Sequence, residues 1–138
     1  LAFKFFPDYT SYGNQSLMRL LSVLATNAKY SEFDLPMEKL GMKLLNDYED
    51  DPYTNVYLAF YFSSKNDNEK AYVHFKRLAD AENFRPFWYT IEALDFLGDY
   101  HKSDNPELSK KYFQRIIDIG WNMGGKLDKA KSELKNDN

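Results

Sequence analysis

The chain contains no cysteine in 138 residues, which excludes thiol catalysis, zinc–thiolate sites and disulfide scaffolds. Glycine and proline are scarce, with 6 and 5 copies, so long helices with short connections are predicted. Positive charge is not in excess: 18 Lys and Arg stand against 21 Asp and Glu, a net charge of -3. General affinity for nucleic acid is therefore not expected. No run approaches the ~20 apolar residues that a membrane helix requires, and no membrane insertion is expected. The first residue is Leu1, and no basic segment followed by an apolar run opens the chain. That leaves the compartment open between cytoplasm and periplasm, a removed signal peptide included.

Aromatic residues are abundant. Phe, Tyr and Trp make up 17% of the chain and supply large areas to bury where helices cross. Hydrophobic residues at 43% and charged residues at 28% are the balance of a globular chain. A length near ~150 residues predicts one domain, 1–138, whose core needs neither disulfide nor metal.

Apolar residues recur at helical spacing throughout. Leu17, Leu20, Leu21, Leu24 and Ala28 form one stripe. Asp34 reads as an N-cap, with Pro36 in the first turn of a helix carrying Leu40, Leu44 and Leu45. Glu49-Asp50-Asp51-Pro52 opens a helix with Val56, Leu58, Ala59 and Phe62, and Asn66-Asp67-Asn68 precedes one with Ala71, Phe75, Leu78 and Ala79. Arg85-Pro86 opens a helix through Ile91, Leu94, Leu97 and Tyr100, and Asp104-Asn105-Pro106-Glu107 opens another with Leu108, Phe113, Ile116 and Ile117. After Gly124-Gly125, a basic helix presents Leu127, Ala130 and Leu134, with Lys126, Lys129, Lys131 and Lys135 expected to face water. The pattern is all-α.

The helices also repeat. Ala71 to Asp80 overlays Ser109 to Asp118 at an offset of 38 residues. Leu24-Ala25, Leu58-Ala59 and Leu97-Gly98 recur at intervals of 34 and 39. Such periods signal helix hairpins that bury their apolar faces on one another. Hairpins are expected at about 15–48, 51–81 and 86–119, with a capping helix at about 125–136. A small residue lets two helices approach, and an aromatic fills the gap beside it, so Ala59, Ala71 and Gly98 are expected at close crossings.

These Leu–Ala and Leu–Gly steps, with Phe62, Ala71 and Phe75, resemble the tetratricopeptide repeat over roughly residues 15 to 120. Ala93 to Tyr100 also resembles the related Sel-one-like repeat. The resemblance implies a right-handed stack of helix hairpins, a solenoid, whose first helices line a concave groove for a peptide or protein segment. In that groove Tyr53, Val56 and Phe60 would form an aromatic and apolar middle, and Glu92, Asp95, Asp99 and Lys102 an acidic third helix. The Lys and Asn clamp that the resemblance implies for chaperone-tail binders, which hold a C-terminal carboxylate, is absent.

Motifs that suggest chemistry read more simply as structure. Gly120 to Lys126 has the spacing of a phosphate-binding loop, but Leu127 stands where Ser or Thr would hold magnesium, so a helix-terminating linker is expected. Ser132-Glu133-Leu134-Lys135 and Ser103-Asp104-Asn105 match β-lactamase fragments in the wrong order, and Asp104 with Asn105 reads as a helix cap. A calcium loop from Asp47 would need Gly and Glu where Pro52 and Leu58 stand. Structural roles are expected for His74 and His101; an acid–base or metal site would have to group His101 with Asp99 and Asp104, and a small enzyme would have to be built on Asp95, Asp99 and His101. No cofactor and no metal are expected.

The leading expectation is a non-enzymatic protein–protein interaction module whose partner carries Lys or Arg beside an apolar residue. The alternative is a small bacterial immunity or secretion-chaperone protein with one dedicated partner. The identity of the partner and the oligomeric state are left open by the sequence.

Overall fold

The computed structural model describes residues 11–26, 32–47, 51–81 and 87–136. Among these, the regular elements are helical throughout: α1 (Ser11–Ala25), α2 (Asp34–Asp47), α3 (Pro52–Ser64), α4 (Asn68–Asp80), α5 (Phe87–Tyr100), α6 (Pro106–Ile119) and α7 (Lys126–Lys135). The all-α class expected from periodicity is present. Two compact units divide within α4, between Arg77 and Leu78.

Local chemistry sets the helix starts. Asp51 caps α3 by accepting the Thr54 backbone N–H at 2.9 Å, with Pro52 at the first helical position, where no N–H partner is needed. Asn105 and Pro106 repeat the arrangement at α6, where Asn105 accepts from the Leu108 N–H at 3.1 Å. The side chain of Asp67 accepts from the Lys70 N–H at the start of α4. The expected Arg85-Pro86 opening of α5 lies outside the described residues.

In the first unit, α1, α2 and α3 pack on one another. Met18, Leu21, Met37, Leu40, Leu44, Leu58 and Tyr61 form the core. The buried face of α1 is rotated from the stripe read in the sequence: Met18 and Leu21 point inward, while Leu20 is 55% exposed. Gly41 permits the approach of α2 to α3, since a Cβ there would lie 2.7 Å from the Leu58 side chain. Burial pushes the Tyr61 phenol above its ordinary value, helped by the charges of Glu38 and Asp34. Its hydroxyl donates to Glu38 Oε1 at 3.2 Å. Ala59 and Ala71 are fully buried. Enlarging Ala71 to Leu is expected to cost about 1–3 kcal/mol by overpacking; an unchanged melting temperature would show that room exists there.

In the second unit, α6 packs against both α5 and α7. Ile91, Leu94, Leu97, Phe113 and Ile116 are almost fully buried. The tightest point is Gly98, where a Cβ would come within 2.6 Å of the Phe113 ring. This is the expected pairing of a small residue with an aromatic. Beside it, the Ser109 hydroxyl donates to the Gly98 carbonyl at 2.7 Å. Gly120 ends α6 in the left-handed region (φ 79°) and donates its N–H to Ile116 O at 3.1 Å. Gly124 and Gly125, also at positive φ, turn the chain into α7.

Candidate functional site

Glu92, Asp95 and Asp99, spaced three and four apart, share one stripe of α5, and Lys102, in the turn just after the helix, extends that line. Lys126, Lys129 and Glu133 form a matching stripe on α7, and the two stripes meet. Lys126 Nζ lies 3.5 Å from Glu92 and 3.4 Å from Asp95. Lys129 Nζ bridges Asp95 at 2.7 Å and Asp99 at 2.6 Å. Glu133 accepts from Lys102 at 2.6 Å, and Lys102 lies 3.2 Å from Asp99.

The partners rise together along both helices, so α7 runs parallel to α5. The order of charge also fixes the register. A slip of one turn would set Lys129 against Lys102 or Glu133 against Asp99, and a reversed helix would set Glu133 against Glu92. Like charges at such distances are unfavourable.

The Phe113 ring lies beneath this ladder, with Lys102 Nζ 5.8 Å and Lys129 Nζ 5.6 Å from its centre. Partial burial disfavours the charge on Lys129, but its bonds to Asp95 and Asp99 outweigh that and hold it above its ordinary value. The hydrogen bond to Glu133 does the same for Lys102. Asp95 is the most covered of the ladder side chains, at 15% exposure. The outer pairs are wetter, and pairs of that kind contribute roughly 0.2–1 kcal/mol each.

The expectation that Lys126 and Lys129 face water is therefore corrected; Lys131 and Lys135 do face it. The uncompensated acids of α5 attract the nearest cations that helical spacing can supply. Of the α7 residues, Ala130 is fully buried, while Leu127 and Leu134 are only partly covered.

The candidate residues of the first unit have different surroundings. Tyr53 is 39% exposed on α3, and Phe60 is partly covered, its ring edge-on to Phe75 at 5.6 Å. Val56 is 1% exposed and offers no surface; it belongs to the interior of its unit. Elsewhere in this unit, His74 is buried and bonds through Nδ1 to Asn55 Oδ1 at 2.8 Å. Asn55 uses its NH₂ on the Asp51 carbonyl, so its oxygen accepts and the network assigns the proton to His74 Nδ1. The imidazole stacks on Phe62 at 5.6 Å. Burial, with the Arg77 charge adding, lowers His74 to about 4.

The group of His101 with Asp95 and Asp99 is not assembled. His101 turns Nδ1 to the Asp104 carboxylate at 3.2 Å and stacks on Tyr112, while Asp95 and Asp99 turn to Lys129. No group of three or more metal-ligating side chains occurs among the described residues. None of the helices described is long and apolar enough to cross a membrane.

Lys126, Lys129, Glu133 and Phe113 are the members of this constellation that sequence reasoning missed. Their signal was present, because the charge spacing of 126, 129 and 133 repeats that of 92, 95 and 99. Comparison with known proteins finds no family model, no curated protein and no solved structure that matches the chain.

Proposed function

We propose that the protein is a non-enzymatic interaction module, a right-handed tetratricopeptide-like stack of helix hairpins that binds a peptide or protein segment carrying basic residues. The observation that supports this most is the fit of a basic helix, in register, on the acidic face of α5. A face that pairs each carboxylate with a lysine at helical spacing has the chemistry to recognise cationic helices. In the first unit, Tyr53 and Phe60 are the aromatic residues proposed to touch the partner; partly exposed aromatics are common anchors at interfaces.

The test is capture of a partner on the full chain, identification by mass spectrometry, and reconstitution from purified components. One protein that rebinds in purified form, with affinity falling as salt rises, is expected. A set of captured proteins none of which rebinds would reject the reading.

A further inference from the structure

On the reading of an interaction module, we propose that the acidic face of α5 docks a basic amphipathic helix of the partner, and that α7 is the built-in occupant this helix displaces. The built-in occupant defines the partner's chemistry. Lys126 and Lys129 supply two cations three residues apart, each followed by an apolar or small residue, Leu127 and Ala130. The partner helix carries the same arrangement: two Lys or Arg at i and i+3, an apolar residue after the first and a small one after the second. The small residue matters because Ala130 is fully buried, and enlarging a buried alanine overpacks its surroundings.

Two further features make α7 the displaceable element of its unit. It has one fully buried side chain, Ala130, with Leu127 and Leu134 partly covered, whereas α6 buries Tyr112, Phe113 and Ile116. Elements with few buried apolar contacts open at lower free energy than the core. The connection from α6 holds three glycines at positive φ, so it can redirect α7 without strain on a side chain.

The probe is a fluorescent synthetic peptide with the sequence of residues 121–136, titrated by anisotropy into the full chain at low salt. The wild-type chain, its face occupied, is expected to bind it weakly. Lys126→Ala with Lys129→Ala in the full chain loosens the occupant and leaves the carboxylates bare, so binding should tighten at least tenfold. Adding Asp95→Asn with Asp99→Asn should abolish that gain. Equal binding by all three proteins would overturn the proposal.

Hydrogen exchange on the wild-type chain gives a second reading that needs no variant. Amides of α7 should exchange well ahead of those of α5 and α6, and faster as salt rises; protection of α7 equal to that of α5 at every salt concentration would also overturn it. The two readings separate cleanly. Peptide binding as described with no reconstituted partner rejects the module reading and keeps the surface. A reconstituted partner whose affinity is the same for wild type and the two-lysine variant keeps the module and rejects this surface.

Discussion

Replacing Phe113 with Ala is expected to lower stability by about 3–5 kcal/mol, the range for deleting a buried phenyl ring, and melting by roughly 10–20 °C. The ring is 1% exposed, abuts Gly98, and carries Lys102 and Lys129 above it, so its loss opens a cavity and removes the floor of the charge ladder. The same contact makes the effect of position 98 depend on position 113. With Phe113 present, Gly98→Ala drives a methyl group to 2.6 Å from the ring and destabilises. In the Phe113→Ala background the clash is gone, and the better helix propensity of Ala over Gly, up to about 1 kcal/mol, makes the same change favourable. A double-mutant cycle by urea denaturation reads this change of sign. Additive single effects would show that the ring and the glycine are not in the contact described.

Acid should weaken the fold through His74. Its folded-state value of about 4 lies below the ordinary 6.5, so the unfolded chain binds the proton more tightly. The stability that goes with the neutral ring is fully present above pH 6.5 and is lost as the pH falls toward 4. Over that window the loss is about 3 kcal/mol. His74→Gln keeps an amide donor for Asn55 and does not titrate, so its stability should fall less across the window by that amount. Urea midpoints for both proteins between pH 7 and 4 make the comparison, with the carboxylates common to both. Parallel curves would mean that His74 accepts its proton as readily folded as unfolded.

Helices and their caps were legible because their determinants are local. Asp51-Pro52 and Asn105-Pro106 announce helix starts within four residues, and Gly120 announces an end. The close crossing at Gly98 was legible as well, since the repeat puts a small residue there; that Phe113 is the ring packed against it emerged only from the fold. Facing directions were harder. Leu20 and Met18 are both apolar and lie almost opposite one another on α1, so periodicity alone could not decide which turns inward; packing against α2 chose Met18.

Charge was hardest to read, because its meaning lies in the partner and not in the residue. Glu92, Asp95 and Asp99 look like a free acidic stripe until a helix about thirty residues later in the chain brings Lys126 and Lys129 to them. His74 and Asn55, 19 residues apart, form a buried polar pair that no local pattern signals.

The docked ladder also governs how the second unit is approached from a distance. Three carboxylates on α5 and the ammonium of Lys102 just after it face two ammoniums and one carboxylate on α7, so most of the charge cancels within a few ångströms. A field made of such close pairs fades faster than that of a bare acidic helix, and charged molecules diffusing nearby are drawn only weakly to this face. While α7 is docked, their rate of arrival should therefore be that of an almost neutral surface; the salt dependence of partner binding belongs to the carboxylates bared when α7 lifts. Collisions there are sorted by shape and lifetime before they are sorted by charge.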